Sequence, residues 1–411
     1  MTDIGIIGGG IIGAAAATWL AADGHKVALF ERDLDGIPAS AGNAGLIALS
    51  EISPLARPGV LASVPGWLTD PLGPLALRWR DAPSFAPWLL RFAAQSRPHQ
   101  VERATAALST LMKTALADHQ ELARRGHVGD GMRRTGALYL FDGDSGFRSA
   151  LAEWSERRRH GIECDEVPVV EARAMVPALT GPFARAGFAP DYWTVSSPAG
   201  ILKSLRQRVA AEASLVAAEI VSLRPGADGI VAVDSTGTER RFARLVVAAG
   251  IWSRDFVRQL GLSVLLETER GYNTTFPSAL VDLPMPVFFT DHGFVVSPLA
   301  DGLRVGGDVE LAAPDAPPNF ARAEAMLTKA RRYLPGIPAS GGRQWMGRRP
   351  STPDSLPVIG RHPRDGRIIF AFGHGHLGLT LSAVTARHVA ALVGDRPPDP
   401  LLAPFAIERF Q

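Results

Sequence analysis

Asp3–Asp33 reads DIGIIGGGIIGAAAATWLAADGHKVALFERD, and this stretch decides the fold. Ile4–Ile7 is a short apolar run that predicts a strand. Ile11–Ala22 has helical spacing and stops before Gly24, and Val27–Phe30 predicts a second strand that ends in an acid, Glu31. In the turn between them Gly8, Gly10 and Gly13 are spaced G-x-G-x-x-G. The first glycine permits the tight turn, the second lets a pyrophosphate approach the backbone, and the third lets helix and strand pack closely. The free N–H groups of the helix N-terminus then face the phosphates. Glu31, about 20 residues on, suits the hydroxyls of an adenosine ribose and disfavours a 2′-phosphate. These residues predict a dinucleotide-binding α/β domain and exclude NADP, but they do not separate NAD from FAD.

The other end of the chain bears on that choice. RIIFAFGHGHLGLTLSAVTARHVAALV (Arg367–Val393) predicts a second strand, Ile368–Phe372, a turn containing Gly373, Gly375 and Gly378, and an apolar helix, Leu379–Val393. A nicotinamide enzyme completes its cofactor site within one such domain. A flavin gains from a helix N-terminus near its N1–C2=O edge, where the reduced ring carries negative charge. A third fragment, RFARLVVAAGIWSRDF (Arg241–Phe256), repeats the pattern, with a strand Leu245–Ala249, Gly250 and a helix capped by Ser253. The segment before it, SLVAAEIVSLRPGADGIVAVDS (Ser214–Ser235), predicts a meander of short strands.

Bulk properties agree with an enzyme of this kind. The 411 residues exceed one ordinary core, and 46% apolar with 20% charged residues describes a globular chain. A formal charge of +2 with scattered basic residues gives no electrostatic footprint for nucleic acid. The lone Cys164 rules out an internal disulfide and thiolate metal sites, so no metal is expected. No apolar run reaches the roughly 20 residues needed to span a bilayer, and the opening residues carry no leader-like pattern. The expectation is a cytoplasmic protein.

The fragments GIIGGGIIG, SAGNAGLI (Ser40–Ile47), GALYLF (Gly136–Phe141), AAGIWS (Ala248–Ser253), ERGYNTTF (Glu269–Phe276), GRRPSTPDSLPVIG (Gly347–Gly360) and GHGHLGLT together resemble the D-amino-acid oxidase/dehydrogenase superfamily of flavoproteins. The resemblance is nearest to the D-amino-acid dehydrogenase type, including D-proline and hydroxy-D-proline dehydrogenases. It implies an α/β fold in which a Rossmann-like FAD domain is interleaved with a substrate domain built on a mixed or antiparallel sheet. The expected division is residues 1–50, 196–260 and 340–411 for FAD, and 51–195 and 261–339 for substrate. The implied cofactor is non-covalent FAD, held by Gly8, Gly10, Ile11, Ile12, Gly13, Glu31 and Arg32, by Ser40, Asn43, Ala44, Gly45 and Leu46 in a loop under the ring, and by Ala249, Gly250, Trp252, Gly375, His376, Leu377, Gly378, Leu379 and Thr380. The implied reaction oxidises the Cα–N bond of a D-amino acid by hydride transfer to flavin N5. An imino acid results, or a cyclic imine from a D-proline-type substrate.

Every α-amino acid offers a carboxylate, which a planar guanidinium grips through two bonds. In Gly347–Pro350 the two arginines point opposite ways if the backbone is extended, and Pro350 favours extension of Arg349. The resemblance assigns the carboxylate to Arg349, leaving Arg348 for solvent or an acid; a structural bridge from Arg349 to Asp354 is the alternative. Tyr272 shares a strand face with Arg270 and Thr274, and is either a second carboxylate donor or a core residue. His374 and His376 flank Gly375; His374 is the expected substrate-side group, and a dedicated base is unnecessary if water deprotonates the amine. His292 is a candidate for the pocket mouth.

Pro54–Pro98 is dense in proline and carries Trp67, Trp79 and Trp88, which predicts short helices and turns. It is read either as an insertion packed on the protein or as a surface for peripheral membrane contact or for an electron acceptor such as a quinone or electron-transfer chain. Long helices are expected at Val101–Arg125, Ser145–His160, after Ser197, and at Ala321–Tyr333. Two alternatives stand beside D-amino-acid oxidation: an oxidase of glycine, sarcosine or other N-substituted amino acids, and an FAD-binding subunit of a larger dehydrogenase that is inactive alone.

Overall fold

The computed structural model describes residues 3–411 apart from 61–63, 65, 67–72, 74, 128, 130, 278–280, 395 and 398. Trp67 therefore lies outside the described residues.

Two sheets organise the chain. In the first, five strands run parallel in the order Ser214–Ala217, Lys26–Glu31, Asp3–Ile7, Arg244–Val247 and Asp365–Phe372, and Val358–His362 adds an antiparallel edge. A parallel sheet covered on both faces buries its strands, so these strands read as unbroken apolar runs: helices Ile11–Ala22 and Gly378–Val393 cover one face, the meander and helix Ser253–Gln259 cover the other, and Ile4, Ile6, Leu245, Val246, Ile369 and Phe370 are fully buried. The three strands predicted from the glycine motifs are neighbours, and the amino-terminal strand lies beside Arg244–Val247, which pairs in turn with the chain-end strand. Their three glycine turns consequently open at one edge of the sheet. Helices Ile11–Ala22 and Gly378–Val393 pack in one core, where Ala14–Ala17 are small enough to let backbones approach. Ser214–Ala217 joins the sheet, and the meander proper is Ile220–Gly226, Gly229–Asp234 and Glu239–Phe242.

The second sheet is largely antiparallel. It runs from the edge strand Arg343–Ser351 through Glu267–Phe276, Gly302–Leu311, Phe294–Leu299 and Val287–Phe289 to Ala137–Phe141, Arg185–Ala189 and Asp165–Val167. Helix Ala321–Tyr333 covers it and shares its core. Two segments depart from the expected domain division. Residues 343–351, expected in the FAD domain, pair with Glu267–Phe276 in the substrate sheet. The helix Pro98–Gly126, expected in the substrate domain, packs its apolar stripe on the helices of the nucleotide sheet. Periodicity located that helix but carried no information about which layer would cover its stripe.

Helix Ala82–Gln95 buries Phe85 and Trp88, and the Trp88 indole donates to the Ser351 carbonyl at 3.0 Å. Trp88 is thus a packed residue, whereas Trp79 is exposed. Among the described residues no helix is long and apolar enough to cross a membrane.

Candidate active site

A cavity of about 910 Å³ runs from the glycine turns of the first sheet to the face of the second. Of the residues expected to touch FAD, all line it except Gly13, Gly45 and Leu377. The two glycines act on backbone geometry, and Leu377 on packing. A Cβ on Gly13 would stand 1.9 Å from the Gly8 carbonyl oxygen, and one on Gly45, at φ 76°, would stand 2.5 Å from Leu299; Leu377 is buried in the core.

The nucleotide end fits an extended dinucleotide. Gly8 has φ 102°, and a Cβ there would press on the Ala248 carbonyl oxygen at 2.4 Å. At Gly10 the nearest atom to an added Cβ is the Ser40 hydroxyl at 3.9 Å, leaving the open space a pyrophosphate needs. Glu31 accepts from the Gly9 N–H at 2.8 Å and faces Arg206 at 3.4 Å, so the acid is held in place by the turn it serves. Arg32 lies over the Trp252 ring, 3.5 Å from its centroid. Ser253 does not cap the following helix; its hydroxyl is buried without a partner among the described residues.

The loop of residues 40–48 is held from both sides. Asn43 accepts from the N–H groups of Gly45 and Leu46 at 2.8 and 3.2 Å, a local turn made by its own side chain. From the second sheet, Arg304 donates to the Asn43 carbonyl at 2.6 Å and Asn273 to that of Gly42 at 2.9 Å. From the chain-end helix, Thr380 accepts from the Ala48 N–H at 3.0 Å. Neither Asn273 nor Arg304 was legible as a cofactor-loop anchor, because each lies far from the loop in sequence.

Arg349 sits opposite Glu269 in the antiparallel register, and Gly271 follows on the same face. The guanidinium crosses over Gly271, where an added Cβ would be 2.1 Å from Nη2. It ends on the backbone carbonyl of Asp308 at 2.9 Å. Asp308 turns that carbonyl inward by adopting φ 63°. Among the described residues Arg349 has no ion pair; the expected alternative partner Asp354 is bound by Arg409 at 2.8 Å. Burial pulls the Arg349 pKa down, while Glu269 and Asp308 act to hold the charge. The result is a desolvated cation at the cavity wall, balanced only from a distance.

Four side chains depart from their first expected roles. Arg348 is neither solvated nor paired with an acid: it is half-buried and donates to the Pro314 carbonyl at 2.6 Å. With Arg270, whose guanidinium meets carbonyls of Ala313–Pro317, it secures that loop. The Tyr272 ring lines the cavity, but its hydroxyl is taken. It donates to Glu310 and accepts from the Asn319 N–H at 2.9 Å, and burial with the Glu310 contact raises its pKa to about 12. His374 lines the cavity, but its Nε2 is taken, meeting the Thr385 hydroxyl at 3.0 Å. His376 is the imidazole with no protein hydrogen bond among the described residues, and it lines the cavity beside the influence of Glu51, Arg349 and Arg57. His292 pairs with Asp142 and Tyr333 at 3.0 and 2.8 Å and does not line the cavity.

Burial lowers both histidines, His374 to about 3 and His376 to about 4, so both are neutral at physiological pH. The unfolded chain takes up these protons near 6.5 and the folded chain does not. Their contribution to stability is therefore complete above pH 6.5 and is lost as pH falls from 6.5 toward about 4. The melting temperature should fall over that window, and His376→Asn should flatten the decline; an unchanged slope would show that His376 is not the titrating group.

The chain matches the FAD dependent oxidoreductase family over residues 3–392. A D-amino-acid oxidase of Bradyrhizobium diazoefficiens is 35% identical, with 99% of this chain and 98% of the relative covered. A D-amino acid dehydrogenase of Paramagnetospirillum magneticum is 31% identical over 98% of each. Among solved structures, glycine oxidase from Geobacillus kaustophilus superposes with TM-score 0.76 at 25% identity, covering 99% of this chain and 98% of that one. L-proline dehydrogenase from P. horikoshii, at 17% identity, shares the fold with TM-score 0.75 over 100% and 97% of the two chains. A nucleotide cradle at one end of the cavity, a half-buried cation at the other and a family match over nearly the whole length agree: the chain belongs to the FAD-dependent oxidoreductases.

Proposed function

We propose that the protein oxidises D-amino acids, with Arg349 holding the substrate carboxylate. The observation that carries this reading is a half-buried guanidinium at the cavity wall, bonded to a backbone carbonyl and lacking an ion pair among the described residues. An arriving carboxylate supplies the missing charge, and the guanidinium fork fixes its orientation. The flavin, when bound, accepts the hydride from the substrate Cα. The chain's part is to hold that carbon in line and to keep bulk water out. Neutral His376 shapes the chamber, and the amine loses its proton to water before the substrate is enclosed. Relatives named as D-amino-acid oxidase and D-amino acid dehydrogenase support the substrate class.

The cofactor contacts proposed are those that line the cavity, with Gly13, Gly45 and Leu377 shaping the backbone beneath. The domain division proposed keeps the discontinuous arrangement, with residues 343–351 moved to the substrate side and helix Pro98–Gly126 to the FAD side. An electron-transfer chain acceptor reached at the membrane surface, and a preference for D-proline or hydroxy-D-proline, are further parts of this reading.

The deciding experiment is anaerobic titration of the purified yellow protein with a panel of D-amino acids. Bleaching of the oxidised flavin band is expected. Bleaching by L- or N-methyl amino acids alone would overturn the D-specific reading, and no bleaching at all would favour a subunit that needs a partner.

A further inference from the structure

Glu51, Arg57, Tyr139, Glu153, Arg157 and Tyr192 form a polar cluster that no part of the carboxylate-binding argument uses, yet all six line the same cavity. They come from separate segments: the chain after the cofactor loop, strand Ala137–Phe141, helix Asp144–Arg159 and the turn before Trp193. Arg57 pairs with Glu153 at 2.7 Å, and Arg157 pairs with Glu153 at 2.7 Å and with Glu51 at 3.0 Å. Two carboxylates thus face two guanidiniums, and the cluster carries no net charge. A buried arrangement of this kind is weak evidence for stability, since apolar residues would fill the space at least as favourably.

Its hydrogen bonds are lopsided. Glu51 Oε1 takes all the donors, from Arg157 at 3.0 Å, Tyr139 at 3.3 Å and Tyr192 at 3.5 Å. Oε2 has no partner among the described residues, although Glu51 lines the cavity. Phe288 closes the wall, stacked on Tyr139 with centroids 4.7 Å apart and edge-on to Tyr192 at 5.6 Å. Glu51, Arg57 and Arg349 all act electrostatically on the His376 imidazole, so the cluster and the carboxylate anchor surround one chamber.

We propose that Glu51 Oε2 is the side-chain acceptor of the substrate pocket, selecting amino acids whose side chain carries an uncharged hydrogen-bond donor such as a hydroxyl or carboxamide. The inference rests on the amino-acid oxidation proposed above. The charge balance distinguishes this donor from a cation: Glu51 is already neutralised by Arg157, so what it still offers is a lone pair. A site built to receive a hydroxyl discriminates strongly against the analogue that lacks it, because the acceptor is then left buried and unpaired.

The test compares matched D-amino-acid pairs that differ in one donor: serine against alanine, threonine against 2-aminobutyrate, asparagine against norvaline, and hydroxyproline against proline. Wild-type protein should favour the donor-bearing member of at least one pair by about tenfold or more in kcat/KM, the scale of one hydrogen bond to a charged acceptor. In Glu51→Gln, which keeps the shape and replaces the free oxygen or its partner by an amide, that ratio should collapse toward one. Wild-type ratios near one throughout would overturn the proposal without a variant, even if every substrate bleaches the flavin. An equal loss on both members of every pair would also overturn it, assigning Glu51 to the α-amine. A collapse confined to D-lysine or D-arginine would overturn it in favour of a cation site. Failure of the unmodified protein to bleach with any D-amino acid would instead strike the function beneath it. If Glu51→Gln does not fold with flavin, the wild-type ratios still decide.

Discussion

Arg349→Ala is expected to lower kcat/KM for D-amino acids by about two to three and a half decades. The side chain is desolvated, bonded to the Asp308 carbonyl, and has no ion pair among the described residues. A bound carboxylate without it would be a buried charge with no partner, a loss of about 3–5 kcal/mol, and each 1.4 kcal/mol is tenfold. The loss should fall mainly on half-saturation in anaerobic flavin reduction, with a smaller effect on the limiting rate. Arg349→Lys should recover only part, since a point charge cannot hold both carboxylate oxygens in the plane that aligns Cα. Folding should be spared: the guanidinium takes part in no ion pair of the resting protein among the described residues. A variant with near-normal half-saturation would remove Arg349 from the substrate site.

A pair of glycine variants should separate cofactor binding from folding. Gly13→Ala forces a methyl group to within 1.9 Å of the Gly8 carbonyl oxygen, and both atoms belong to backbone. Helix Ile11–Ala22 must move off its strand, which should cost about 1–3 kcal/mol of overpacking. The expected product is destabilised and largely colourless after gel filtration, with flavin affinity down by about a hundredfold. Gly10→Ala adds its methyl to open space, 3.9 Å from the nearest atom, the Ser40 hydroxyl. That variant should melt like the wild-type apoprotein and still lose most of its flavin, because only the pyrophosphate meets the new group. Full yellow colour in Gly10→Ala would mean that the phosphates do not pass there.

Much of this site was readable before any coordinates. The glycine spacings after Ile7, Val247 and Phe372 carry backbone requirements that few other residues satisfy, so three turns and their strands stood out in the sequence. Arg349 was readable through the family resemblance of the segment around it; Pro350 by itself favours only an extended backbone. Side-chain direction was much less so. His374 is expected on the substrate side, yet a GHGH pattern does not show which imidazole is free: both line the cavity, and Thr385 from the following helix takes Nε2 of His374. Tyr272 could serve either purpose until Glu310, distant in sequence, was seen to hold its hydroxyl. Glu51 drew no attention, since a single acid in a loop has no spacing to interpret. Its role depends on Tyr139, Arg157 and Tyr192 arriving from elsewhere.

The strand that carries Arg349 is the outermost of its sheet. A bare rim of that kind is a template on which another chain can polymerise. Here the outward carbonyl of Ser351 is already taken by the Trp88 indole, and an isolated bridge joins Ser351 to His374. The helix that supplies Trp88 therefore does more than fill space: it closes one end of this rim to a foreign strand, beside the arginine proposed to anchor the substrate.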